Sequence, residues 1–294
     1  MAKRALTLLA FFASLLVATQ AFAQEDMLAD GVRPTGMGLA YTSVASGSPG
    51  LFHNPGGITA NVMYQAEGTF EYNPSGSVLT GAVVDSKTNQ NVGGGAAYSY
   101  FIGRGDLDEV SGHDVRLGVG LPVVPEQVSV GASLRYLHLK DEAAEDEPFM
   151  QGFSVDAGVV LRPHELVRFG VAGQNLIDLC EDPDVCAGVM PTKISGGAAV
   201  GDEAEYLLSV DGGVDISSDP DGVHPFAEVG GEYFAGGAVP VRAGYQWIPS
   251  LDRHVLTGGL GVRVEQAGLD FGFRVDPSDP EYAFFNGSVS VYPF

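Results

Sequence analysis

Six histidines, two cysteines and several runs of carboxylates are the residues through which this chain could do chemistry. His53, His113, His138, His164, His224 and His254 stand far apart, and no His-Glu-x-x-His or other paired metal-ligand spacing occurs. Ser133 and His138 are close enough in sequence to suggest a nucleophile and its base. No third group is evident to orient the imidazole, so ordinary strand residues are the better reading. Gly36-x-Gly38 and Gly259-x-Gly261 are not dinucleotide loops, because no helical pattern follows either. The Arg104-Gly105-Asp106 triplet reads as chance in a polar loop. Cys180 and Cys186 flank "EDPDV" in the longest connection, and Pro183 favours a turn there. In an exported chain with only two cysteines the expected use is a local disulfide in a surface loop, contributing about 2–3 kcal/mol. Metal binding by the pair with Glu181, Asp182 and Asp184 is the alternative. No catalytic residue, resident metal or cofactor is expected.

The ends and the charge place the chain. Lys3 and Arg4 precede an apolar run from Ala5 to Ala18, and Ala21-Phe22-Ala23 supplies the small residues of a signal-peptidase site. Residues 1–23 therefore read as a signal peptide rather than a membrane anchor, for which the run is short. Its removal leaves 271 of 294 residues and takes away two basic groups and no acid, so the formal charge moves from −22 to −24. Such a chain is no nucleic-acid binder, which needs basic surface. No later stretch reaches the ~18 apolar residues of a spanning helix. The 41 glycines, spread without a collagen-like period, also argue against long helices.

The elements that must position these residues have period two. In "GLDFGFRV", Leu269, Phe271, Phe273 and Val275 point one way while Asp270, Gly272 and Arg274 point the other. "VSVGASLRY", "GFSVDAGVVL", "VRFGVAGQ", "VRAGYQW" and "LTGGLGVRV" follow the same rule. Fourteen strands are expected: 62–72, 76–84, 91–102, 113–121, 126–139, 149–162, 166–175, 191–201, 204–215, 223–234, 238–248, 254–264, 267–275 and 282–294. From the second strand on, every other connection is short ("PVVP", "RPHE", "GDEA", "AGGA", "EQAG") and the others are mostly longer and acidic, "DPSDPEY" included. An even count with short turns at one rim and long loops at the other is the pattern of an outer-membrane β-barrel. A soluble β-sandwich, the alternative, shows no such alternation.

Parity also sorts the faces. Glu67, Glu71, Arg116, Arg135, Asp156, Arg168, Asp211, Glu228, Glu232, Arg242, Arg263, Asp270 and Arg274 share one side. Tyr64, Phe70, Tyr98, Phe153, Phe169, Tyr233, Tyr245, Trp247, Phe271 and Phe273 share the other. In a bilayer the apolar set faces lipid and the charges line the lumen. Both signs occur there in similar numbers, which predicts a paired network rather than an ion-selective ring. The acidic loops are expected to be solvated; divalent cations bridging them to lipopolysaccharide phosphates are the alternative.

Several stretches resemble a known group. "PVRAGYQWI" with "TGGLGVRVEQAGLDFGFRVD", the "FGVAGQNLID" strand ending in Asn-Leu, and "EVGGEYF" are similar to strands of PorV-like proteins within the FadL-type fatty-acid transporter superfamily. Gly36-Met37-Gly38 through Asn54-Pro55-Gly56-Gly57 resembles the group's Gly-rich N-terminal motif ending Asn-Pro-Ala-Gly, with Gly56 as the departure. The terminal Tyr292 and Phe294 resemble a barrel-assembly signal, although Ser288, Ser290 and Pro293 depart from it. The resemblance implies that residues 24–61 tuck into the lumen as a hatch, with residues 62–294 as barrel and Gly36, Gly38, Asn54, Pro55, Gly56 and Gly57 as hatch residues. The luminal arginines would hold it. A disordered periplasmic tail is the alternative for that segment. Two functions follow from the resemblance: a monomeric plugged barrel that passes hydrophobic, lipid-like small molecules, or a non-transporting scaffold that receives secreted proteins at the cell surface. Outer-membrane lipid, lipopolysaccharide and the assembly machinery are the remaining expected partners.

Overall fold

A computed structural model describes residues 29–141, 150–180, 183–218 and 222–293 of the chain. The proposed signal peptide and Phe294 lie outside the described residues. The period-two stretches form fourteen antiparallel strands: β1 (Tyr64–Asn73), β2 (Gly76–Asp85), β3 (Gly93–Gly103), β4 (Val110–Val124), β5 (Val128–Asp141), β6 (Met150–His164), β7 (Val167–Cys180), β8 (Lys193–Asp202), β9 (Tyr206–Asp215), β10 (His224–Ala235), β11 (Val239–Ile248), β12 (Arg253–Val264), β13 (Ala267–Asp276) and β14 (Asp279–Val291). Each pairs with its neighbour in sequence, and β1 closes on β14 from Ala66↔Val291 to Tyr72↔Phe285, so the sheet is a closed barrel.

The faces are inverted relative to a water-soluble sandwich. Phe70, Leu117, Leu208, Tyr233 and Phe271 stand exposed on the outside, whereas Arg135, Asp156, Asp270 and Arg274 are buried within. An apolar exterior around a polar interior is stable only where lipid replaces water outside, and closure leaves no strand edge to satisfy there. The chain is a transmembrane β-barrel that crosses the bilayer with its strands.

The short turns after β4, β6, β8, β10 and β12 gather at one rim with the start of β1, the β2–β3 connection and the end of β14; the longer connections after β3, β5, β7, β9 and β11 gather at the other, with the two-residue reversals after β1 and β13. Most boundaries shift by one to three residues from the sequence reading, β4 gaining three at each end, and three differences have an identifiable local cause. β7 does not end at the Asn-Leu pair but runs on to Cys180. Asn175 takes a left-handed backbone (φ 52°), the pairing with β6 slips by a bulge between Val155 and Ala157, and the ladder resumes at Val155↔Ile177. "DPSDPEY" is not a long loop. Asp276 accepts hydrogen bonds from Ser278 N (2.9 Å) and Ser278 Oγ (2.6 Å), folding a tight reversal that lets β14 start at Asp279. At its far end β14 stops at Val291, before Pro293, which has no N–H to donate.

Candidate functional site: the plugged lumen

Residues 29–61 lie inside the barrel, and their compact path explains why they show neither period. Helix α1 (Val32–Gly36) packs on β11–β14. Helix α2 (Gly50–His53) packs against β3 and β4, and a 3₁₀ turn over Pro55–Thr59 packs against β3–β6. Met37, Tyr41, Leu51 and Ile58 are fully buried; Leu39 is half-buried, with φ 62°. Asn54 ties the segment together. Its Nδ2 donates to Thr42 O (2.7 Å) and to Val159 O on β6 (3.1 Å), while its Oδ1 accepts from Gly56 N (3.0 Å) and caps the 3₁₀ turn. Replacing Asn54 with alanine orphans two buried carbonyls and one N–H, at about 1–3 kcal/mol. Faster protease cutting within residues 29–61, with the barrel's gel mobility unchanged, is the expected readout.

The hatch glycines serve close approach. Gly38 has φ 65°, and a Cβ there would meet Tyr245 N and Val229 O at 2.7 Å. A Cβ on Gly36 would press on Arg242 at 3.1 Å, one on Gly56 on the Gly158 carbonyl at 2.9 Å, and one on Gly57 on Ala45 O. Pro55 starts the 3₁₀ turn, where its missing N–H costs nothing. The wall answers in kind: inward Gly131, Gly158, Gly170, Gly230 and Gly244 each lie where a side chain would strike hatch atoms. Part of the glycine content is thus a seat for another stretch of backbone.

The inward charges form clusters that reach the hatch. The longest alternates in sign. Arg33 of α1 bonds Glu232 on β10 (2.8 Å), Glu232 bonds Arg242 on β11 (2.6 Å), Arg242 bonds Asp270 on β13 (2.7 Å), and Asp270 bonds Arg263 on β12. Burial alone would weaken Arg33's hold on its proton, but Glu232, Tyr41 and Glu203 outweigh it and the guanidinium stays firmly charged. In a second cluster Asp114 faces Arg135 (3.0 Å) and Arg116 (3.5 Å), and Arg116 reaches Asp156 (3.3 Å) and stacks over Phe52 of the hatch. Arg274 binds Asp30 at the head of the hatch (2.8 Å), and Arg168 meets Glu203 (3.4 Å). Glu228 is held by the Gln246 amide (3.0 Å) rather than by an arginine.

The barrel's closing seam is also engaged from inside. Glu71 on β1 and Asn286 on β14 are direct partners across it. Gly31 N donates to Glu71 (3.2 Å), and Asn286 Nδ2 donates to Thr35 Oγ1 (2.8 Å). His53 ends α2 beside Asp30 O (2.8 Å). Burial pushes its imidazole below the ordinary histidine range, partly offset by Asp30, so it is neutral at pH 7.

Sequence reasoning missed Arg33, Asp114, Glu203 and Gln246. Arg33 had a signal, being the only Lys or Arg between residues 24 and 61, and Asp114 shares the parity of Arg116. Ser133 and His138 do not come together: Ser133 is buried inward, while His138 lies on the outer face and bonds Gln151 (3.1 Å). The cysteines are corrected in position. Cys180 ends β7 and bridges to Cys186 on α3 (Pro183–Val189), and Cys186 is fully buried with Val189 and Met190 instead of lying in a solvated surface loop. The connection folds inward because these side chains find an apolar wall there. Glu181, Asp182 and the Asp184 side chain lie outside the described residues. Replacing both cysteines with serine should leave barrel assembly intact and destabilise by about 2–3 kcal/mol. A heat-modifiable gel shift checks the first expectation and a melting curve the second.

Two cavities flank the hatch. One, of ≈ 170 Å³, opens at the long-loop side among Asp30, Phe52, Lys193, Phe226, Glu228 and Tyr282. The other, of ≈ 180 Å³, lies at the short-turn side among Arg33, Tyr41, Asn61, Glu203, Glu232 and Arg263. They share no lining residue.

No protein-family model and no curated protein sequence matches this chain. Solved structures do. The toluene transporter TbuX of Ralstonia pickettii aligns with TM-score 0.60 at 11% identity, covering 90% of this chain and 98% of that one. The toluene transporter TodX of P. putida aligns with TM-score 0.61 at 11% identity, covering 87% and 97%. A FadL homologue of Pseudomonas aeruginosa aligns with TM-score 0.62 at 11% identity, covering 90% and 98%. This chain therefore shares the barrel fold of the toluene transporters and of the FadL homologue over most of its length.

Proposed function

We propose that this protein passes small hydrophobic molecules across a bacterial outer membrane, with residues 29–61 as the hatch that separates an outer from an inner cavity. The short-turn rim then faces the periplasm. The observation that carries this reading is an apolar stripe in an otherwise polar lumen. Val78, Phe101, Val110, Leu137, Leu139 and Met150 point inward on the outer halves of β2–β6 and join Cys186, Val189 and Met190. The same cluster includes Leu51 and Phe52 of the hatch. The stripe is closed here, with only ≈ 10 Å³ of space among Val78, Phe101, Leu137 and Leu139, so an apolar solute would part these side chains and gain about 25 cal/mol for each Å² it buries between them. A water-filled porin has no use for such a stripe. The cavity volumes suit a molecule of single-ring size, since a cavity of ~150 Å³ accommodates benzene. The transporters named above point the same way, toward hydrocarbon cargo. Onward movement requires the hatch to shift, because the two cavities do not meet.

Liposomes carrying the protein should take up toluene or a long-chain fatty acid faster than liposomes carrying an unrelated plugged barrel. Equal rates for both solutes sink the proposal. A stoichiometric secreted protein recovered from crosslinked outer membranes, with no uptake, would establish the scaffold role instead.

A further inference from the structure

On the outside of the barrel, tyrosine hydroxyls meet basic side chains at the same height on separate hairpins. Tyr98 on β3 and His113 on β4 lie 2.7 Å apart through Oη and Nδ1. Tyr245 on β11 and His254 on β12 repeat the contact at 2.5 Å. The register repeats as well. Tyr98 sits opposite Val115 and Tyr245 opposite Leu256, so each histidine lies two residues nearer the long-loop rim than its tyrosine's direct partner. Nearby, Arg104 bonds Tyr72 Oη and lies over that ring (4.1 Å from its centre).

This height is a chemical boundary. Toward the short-turn rim the outward positions are Leu117, Val119 and Leu121 on β4 and Leu256, Leu260 and Val262 on β12, all exposed to lipid. Toward the long-loop rim β4 ends at Val110 and β12 at Arg253, so each histidine stands within about 10 Å of its strand end. That is the level of lipid headgroups. The donor set is equally specific. Whichever partner holds the shared proton, one donor remains to face outward: Nε2–H when the phenol donates to Nδ1, or the phenol O–H when Nδ1–H donates to the phenol. Each dyad thus offers one hydrogen-bond donor, and Arg104 adds a fixed cation. In a chain of net charge −22 these groups favour an anionic oxygen acceptor.

We propose that the Tyr98–His113 and Tyr245–His254 dyads bind the phosphates of anionic lipid headgroups, those with no neighbouring ammonium to neutralise them, in the outer leaflet. The assignment of leaflet rests on the orientation given under Proposed function; the binding itself does not require transport.

Trp247, the chain's single tryptophan, lies directly opposite His254 and serves as the probe. The full-length protein is reconstituted into phosphatidylcholine vesicles containing either brominated phosphatidylglycerol or brominated phosphatidylcholine. Half-quenching of Trp247 is expected at a roughly fivefold lower mole fraction of the anionic lipid, the ratio that one net hydrogen bond to a phosphate oxygen supplies. Tyr245→Phe and His254→Leu should each abolish that ratio while keeping the heat-modifiable gel shift. Val115→Trp in a Trp247→Phe background reads the Tyr98–His113 dyad in the same way. Equal quenching by both lipids in the unmodified protein overturns the proposal. So does a ratio that survives both substitutions, disappears with inorganic phosphate alone, or arises because crosslinking finds a second copy over Trp247. Loss of solute uptake with the quenching ratio intact overturns transport and leaves the lipid site standing; the converse result does the reverse.

Discussion

Replacing Glu232 with leucine should unlatch the hatch while leaving the barrel folded. Glu232 is the only carboxylate between Arg33 and Arg242 in the alternating chain, and both guanidiniums contact it within 2.8 Å. Its loss leaves two buried cations facing each other across an apolar side chain. Breaking a buried ionic network by removing one member costs about 3–5 kcal/mol. Arg33 cannot escape by releasing its proton, because a guanidinium stays protonated in proteins even without a carboxylate partner. The lower-energy response is for α1 to leave its seat and carry Arg33 into water, while Arg242 keeps Asp270. A planar bilayer should then record ion conductance in place of a quiet barrel, and protease should cut within residues 29–61. Adding Arg33→Met to Glu232→Leu should recover part of the closed state, since it removes one stranded charge. Unchanged conductance in Glu232→Leu would show that the ionic chain does not hold the hatch.

Adjacent positions on β13 should fail in opposite ways. Phe271 faces lipid, and Asp270 faces the lumen between Arg242 and Arg263. Arginine at position 271 places a guanidinium on the lipid face, which costs about 2–4 kcal/mol near the bilayer midplane. Assembly should drop, read as the fraction of protein with heat-modifiable mobility. Asparagine at position 270 keeps the side-chain shape but removes the charge that separates two arginines. It should spare assembly and raise conductance through a loosened hatch. Normal assembly of Phe271→Arg together with failed insertion of Asp270→Asn would mean that the two faces had been assigned backwards.

The barrel was legible in the sequence because its physics is local. Alternation in stretches such as "GLDFGFRV" reports the two faces one residue at a time, and the spacing of turns reports the rims. What escaped depends on partners far along the chain. Asn175 takes positive φ to bulge β7, its N–H donating to Asp156 (2.7 Å) and its side chain to Pro191 O (2.8 Å), so the strand survives a pair that reads as its end. Cys186 was misplaced for a related reason. Its surroundings, Leu137, Leu139 and Met150, belong to strands that precede it by more than thirty residues. The placement of hatch residues came from family resemblance and not from periodicity. Short helices and 3₁₀ turns shaped by contact with a wall have no period to read.

The contacts of Gly31 with Glu71 and of Thr35 with Asn286 make one small segment a clasp over the join of the first and last strands. Most ladders in this barrel unite neighbours in sequence, but that join spans the whole sheet, and closing it carries the largest entropy penalty of any pairing. A segment that binds both edges at once holds them at high local concentration and lowers that penalty. The same linkage runs in reverse. Whatever lifts α1 from its place withdraws support from the join, so a gating motion and a weakening of the sheet at one defined line are a single thermodynamic event. Under the proposed transport role, passage is bounded by the stability of the barrel's own closure: the hatch can travel only as far as β1 and β14 hold without it.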